Sequence, residues 1–241
     1  MWALTYNKNI MAVNVNTVYQ RVLAITNKEQ RGYLTPQEFN TIANQAQLDI
    51  FEQYFYDLNQ FGRIPGNQTD YADMLNILEE KISIFEKTGI TVSNGTTLPT
   101  DLYRLGSIFH DNGANYLKEI EQITQKEWLY IRRSPLAQPT NEYPVYIRDN
   151  AGIKVYGSDN LQLTNNIKVN YVKIPTQVAW AANSGTGLYD VTNSVNFELH
   201  ESEETELVIK ILALAGIVIK DNSIYAMASG EDTKNVSQEK S

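Results

Sequence analysis

The apolar residues of this chain change their period twice. Up to about residue 87 they recur at helical spacing, between 100 and 198 they mostly alternate, and from 200 the helical spacing returns. Helices at both ends with strands between them argue for an α+β protein. The arrangement expected is a helical module, an N-terminal helical hairpin plus a C-terminal helix, with a small, mostly antiparallel β domain inserted between.

The hairpin is expected within residues 14–61. Val15, Val18, Val22 and Ile25 form one stripe, widened by Tyr19 and Leu23. A second stripe from Pro36 to about Phe61 holds Phe39, Ile42, Ala43, Ala46, Ile50, Phe51, Tyr54, Phe55 and Leu58. It is broad, so this helix should pack against more than one element or against another subunit. A further helix is expected over 69–87, with Met74, Leu75, Leu78, Ile82 and Phe85 on one side. The Thr- and Gly-rich stretch 88–102, with its Asn94-Gly95 turn signal, marks the hinge into the β part. Hairpins are expected over 102–123 and 143–157, a short helix capped by Thr124 and Glu127 follows the first, and 166–175 reads as a strand ended by Pro175. The last helix starts near His200, with Glu201, Glu203, Glu204 and Glu206 in its first turns and Lys220 near its end, the signs the helix dipole favours. The divisions expected are 1–90, a helical region; 91–199, β-rich; 200–225, the C-terminal helix packing back on the helical region; and 226–241, a polar tail or arm.

Composition narrows the chemistry. The 241 residues include no Cys, which excludes disulfides, thiol catalysis and Cys-based zinc sites. Only His110 and His200 could serve a histidine-dependent site. The net charge is −8, and Arg132-Arg133 is an isolated pair read as a solvated turn, so dense phosphate binding is not expected. No signal-peptide pattern opens the sequence, and the most apolar run, 207–219, is short and interrupted by Lys210, so the chain reads as soluble.

One stretch imitates a calcium loop. Asn27, Glu29, Arg31, Tyr33, Thr35 and Glu38 occupy the ligand places of an EF-hand, with Gly32 at its sixth place. Arg31 puts a cation where an acid belongs, and Asn27 replaces the usual first Asp. A tight turn between helices explains the same residues: Gly32 ends one helix in a left-handed conformation, and Thr35-Pro36-Gln37-Glu38 is a capping box with Pro at the first helical position. Residues 183–190, with Gly-Thr-Gly, read as a flexible surface loop, because no helical pattern follows to form a phosphate cradle. The Glu201–Glu206 cluster beside His200 is weighed as a metal or acid/base site against solvated acids at a helix start, and the latter is preferred. No catalytic, cofactor-binding or metal-binding residue is assigned, and the chain is read as a non-enzyme without cofactor.

Three stretches, VNTVYQRVLAITNKEQRGYLTPQEFNTIANQAQLDIFEQYFYDLNQF, LPTDLYRLGSIFH and YDVTNSVNFELHESEETELVIKILALAGI, carry a resemblance. The chain resembles ring and adaptor proteins at the head-to-tail junction of short-tailed bacteriophages, particularly crAss-like phages. The resemblance spans about 14–226 and implies a structural virion protein forming a homo-oligomeric ring, commonly of twelve subunits, below the portal. It implies the portal protein and neighbouring ring or tail proteins as partners, and double-stranded DNA passing through the lumen without sequence-specific binding. It places the protein at the virion's head-tail junction, after assembly in the host cytoplasm and away from membranes, with residues 226–241 as a docking arm. Alternatives are a tail-tube or tail-hub adaptor of the same neck region, or a metal-dependent enzyme.

Overall fold

The computed structural model describes residues 12–28, 34–61, 69–92, 94–111, 117–183, 185–218, 230, 231, 233 and 234. Its helices are α1 (Val15–Lys28), α2 (Pro36–Phe61), α3 (Thr69–Ser83), α4 (Gln125–Ile131) and α5 (Glu204–Val218). Its strands are β1 (Glu86–Thr91), β2 (Leu102–Asp111), β3 (Leu117–Glu119), β4 (Glu121–Gln122), β5 (Val145–Asp149), β6 (Gly152–Tyr156), β7 (Gln162–Leu163) and β8 (Ile167–Lys173). The fold is α+β, as the periodicity implies. It has two compact units, Met1–Ile84 with Pro175–Ser241, and Phe85–Ile174.

These boundaries differ from those expected at 90/91 and 199/200. The helix expected over 69–87 stops at Ser83, because Lys87 and Thr88-Gly89-Ile90-Thr91 belong to β1. At the other end, the chain from Pro175 onward belongs to the helical unit, and its first part, 175–181, runs without helix or turn. Pro175 has no N–H to continue the β8 ladder, and of the residues after it Thr176, Val178 and Trp180 pair with helix side chains while Ala179 bridges Val195.

That pairing rests on α2. Asn40, Asn44 and Gln47 lie on one side of the helix. Asn44 donates to the Val178 carbonyl (2.9 Å) and accepts from the Val178 N–H (2.7 Å). Asn40 makes the same reciprocal pair with Trp180 (3.1 and 2.8 Å). Gln47 donates to the Thr176 carbonyl (2.9 Å) and accepts from the Glu198 N–H (3.0 Å). The spacing explains the fit. Four helical residues rise about 6 Å, and two residues of extended chain advance about 6.6 Å. Side-chain amides four residues apart on a helix therefore meet alternate residues of a strand. Trp180 anchors the segment, its ring 4.5 Å from that of Tyr19 and its indole N–H donating to Asn16.

The rest of the helical unit follows its stripes. Asn14 caps α1 by accepting from Asn16 and Thr17. Val15, Val18, Tyr19 and Val22 are buried, but Ile25 is 42% exposed. Thr26 takes its place in the stripe, its hydroxyl satisfied by the Val22 carbonyl. Phe39, Ile50 and Phe51 of α2 are fully buried, and α5 packs against both α1 and α2 through Leu207, Ile211 and Ala215.

The second unit holds two four-stranded sheets, ordered β1-β8-β2-β3 and β4-β5-β6-β7, where one small sheet is the sequence expectation. All pairs are antiparallel except β4–β5. Val92, Ile108, Ile153, Val155, Ile167 and Val169 form its main core. Both expected hairpins are present, as β2–β3 and β5–β6. β1 and β2 each slip register opposite Asn170 of the central strand β8. The Asn170 amide fills both irregularities, accepting from the Gly89 N–H (2.9 Å) and donating to the Ser107 hydroxyl (3.0 Å).

Candidate functional site

The helix turn that imitates a calcium loop is built as a cap where it is described. Glu38 accepts from the Thr35 N–H at 2.9 Å, and Thr35 Oγ1 accepts from the Glu38 N–H at 3.3 Å. The Thr35 hydroxyl lowers the Glu38 carboxyl below its ordinary range, followed by the Thr35 N–H. Asn27 is a helical residue of α1, while Glu29, Arg31, Gly32 and Tyr33 lie outside the described residues. Thr124 and Glu127 form the second expected capping box, which starts α4.

The Glu cluster is dispersed. Glu203 is 3% exposed and sits 2.6 Å from Lys81 of α3, also accepting from the Ser202 hydroxyl at 3.0 Å. Arg21 of α1 is 2.8 Å from Glu204, Lys210 is 4.0 Å from Glu206, and Glu201 is exposed. The reading of these acids as solvated is therefore corrected: helix periodicity points each in a different direction, and one is buried against a lysine. His200 acts as a cap, its Nδ1 accepting from the Ser202 N–H at 3.2 Å. His110 is buried in β2, in the other unit. Among the described residues no group of three or more His, Asp or Glu is gathered to hold a metal.

The Gly-Thr-Gly stretch closes on itself. Gly187 N–H donates to the Asn183 carbonyl, Asn183 N–H to that of Leu188, and Ala182 bridges Tyr189. Among the described residues the N–H groups of Gly185, Gly187 and Leu188 are used within the stretch itself, which takes them away from a phosphate. Lys220 and residues 219–225 lie outside the described residues, as does most of the polar tail.

Three arrangements in the β unit went unread in the sequence. The first is a charged cluster at one end of the β1-β8-β2 sheet. Asp101 accepts from Lys87 Nζ (2.6 Å) and from the Tyr171 hydroxyl (2.8 Å). The Lys87 hydrogen bond, with help from Tyr171, holds the Asp101 carboxyl below its ordinary range, and Asp101 in turn raises Lys87. Burial, then the Asp101 contact, raises the Tyr171 hydroxyl. This is a lysine neutralised by an acid and clamped by a phenol, which binds the turn before β2 to β1 and β8.

The second is a cleft of about 400 Å³ lined by Gly106, Ser107, Glu119, Glu121, Gln122 and Tyr146. Its Tyr146 hydroxyl donates to Gln122 (3.1 Å) and is raised by burial. Its lining is polar, with Ser107 and Tyr146 beside Glu119, Glu121 and Gln122.

The third is the outer surface around α4. Trp128 faces inward, 5% exposed and stacked 4.0 Å from Tyr156. The opposite side carries Leu129 (50% exposed) and Tyr130 (69%), with Lys126 and Arg133 exposed beside them. Leu136 follows in the next turn, fully exposed. Arg132 lies over the Trp128 ring and Arg133 closes the turn, so the Arg pair is solvated as expected. Large apolar side chains left in water beside cations are interface chemistry. The signal was present as Leu129 and Tyr130 opposite Trp128 in a short helix.

No protein-family model matches this chain, and a search of curated proteins finds no match. No helix among the described residues is long and apolar enough to cross a membrane.

Proposed function

We propose that this chain is a structural subunit of an oligomeric ring in a bacteriophage head-to-tail connector. It sits below the portal and lines the channel for genome passage. The observation that carries the reading is the joining of the helical segments before Phe85 and after Ile174 into one unit from which the β unit is inserted, the order of parts on which the resemblance rests. The exposed apolar side chains around α4 give such a subunit surface to bury against its neighbours. The net charge of −8 favours a lumen along which DNA slides without sticking. Its partners are then further copies of itself, the portal, adjoining ring or tail proteins and passing double-stranded DNA, and its place is the virion.

Native mass spectrometry and electron microscopy of the purified chain, alone and mixed with a portal, test this. Closed rings of the chain, free or seated on the portal, are expected. A chain that stays monomeric and ignores the portal would refute it.

A further inference from the structure

The two units carry very different charge. Phe85–Ile174 holds ten Lys and Arg against nine Asp and Glu, whereas the rest of the chain holds ten against nineteen. The α4 surface is the apolar and cationic part of the first: Leu129 and Tyr130 flanked by Lys126 and Arg133, neither of which has an ion-pair partner among the described residues. The outer face of α2 has the opposite character. Asp49, Glu52 and Tyr56 share it at helical spacing, with Glu52 exposed and Tyr56 63% exposed. Helical spacing turns it away from the α2 face used by Asn40, Asn44 and Gln47.

We infer that the α4 surface of one copy docks on the outer α2 face of a second copy. Apolar meets apolar, Leu129 and Tyr130 against Tyr56, and Lys126 and Arg133 meet Asp49 and Glu52. Two different faces in contact make a head-to-tail interface, the kind that closes into rings. This inference rests on the ring reading and names the contact that builds it. Nucleic acid is the poorer occupant, because phosphate binding uses dense Lys and Arg, whereas here two cations flank a leucine and a tyrosine.

The test is sedimentation velocity of the full chain, alone and on the portal, at low and high salt. Lys126→Glu with Arg133→Glu should weaken association on the order of tenfold or more, as like charges are brought together. Asp49→Lys with Glu52→Lys should do the same, and mixing the two charge-reversed proteins should restore association. The mixture guards against misfolding, since unfolded variants would not rescue each other. Rings that form unchanged in both variants would overturn this contact while leaving the ring reading in place. A wild-type chain that is monomeric in every condition would overturn both. Retention of duplex DNA that is lost on Lys126→Glu with Arg133→Glu, while association is intact, would assign the surface to nucleic acid and overturn the proposal.

Discussion

Asn44→Ala should release the segment that follows Pro175 from α2. Asn44 makes two bonds to Val178, at 2.7 and 2.9 Å, and uses its second amide hydrogen on the Asn40 carbonyl at 2.7 Å. Val178 is 2% exposed, so its N–H and C=O would lose their partners where water reaches poorly. Two net hydrogen bonds are worth about 1 kcal/mol each, and a buried orphaned backbone group costs about 1–3 kcal/mol. The expected loss is about 2–4 kcal/mol. Asn44→Asp separates the two roles: it keeps an acceptor for the Val178 N–H but turns an oxygen toward the Val178 carbonyl, so it should rescue little. Gln45→Ala, one residue away on the exposed side, should stay within about 0.5 kcal/mol. Hydrogen exchange resolved to single amides would read the Val178 N–H directly, and a urea titration would give the energy. Loss of protection at Val178 before the buried α2 and α5 amides would show local release rather than global unfolding. Equal stability of Asn44→Ala and Gln45→Ala, with Val178 still protected, would refute the reasoning.

Three further outcomes are expected. Lys81→Met strands the buried Glu203 carboxylate and should cost about 3–5 kcal/mol, measured by urea denaturation, with most of the loss recovered by adding Glu203→Leu; a cost no larger than that of Lys154→Met would contradict the buried pair. Asp101 titrates below its ordinary range when folded, so its contribution is present above about pH 4 and is lost as pH falls through the folded value, whereas Lys87 and Tyr171, both raised, lose theirs above about pH 10. The stability gap between wild type and Asp101→Asn should therefore narrow at both extremes, and a gap constant from pH 3 to pH 11 (about the two ordinary ranges) would exclude the cluster. Gly152→Ala places a methyl 2.1 Å from the Thr96 carbonyl at a φ of 129°, and should cost at least about 2 kcal/mol by thermal or urea melts; Gly187→Ala, with φ of 67° and nothing within 4 Å, should cost about 1–2 kcal/mol.

Repeating patterns with a single physical cause were legible in the sequence. The stripes of α1, α2 and α5 and the β5–β6 hairpin follow from hydrophobic period, and the Thr35–Glu38 and Thr124–Glu127 boxes follow from capping chemistry at fixed spacing. What escaped depends on partners far apart in the chain. Nothing local says that the backbone of Thr176, Val178 and Trp180 pairs with helix amides 129–140 positions away. The spacing of Asn40, Asn44 and Gln47 on one helical face was the available clue. Glu203 looks like any acid in a first helical turn until Lys81 of α3 is brought to it. The two register slips opposite Asn170 leave no mark on the period of β8 itself. The α4 surface was half legible, since Trp128, Leu129 and Tyr130 cannot all face inward on a seven-residue helix.

The proposal that this chain builds a ring on a portal can be put to one direct observation. Electron microscopy of the purified protein incubated with the cognate portal tests it most directly. Closed rings of the chain seated coaxially on the portal are expected, with the α4 surface buried between neighbouring copies. Bare portals beside a monomeric protein would contradict it.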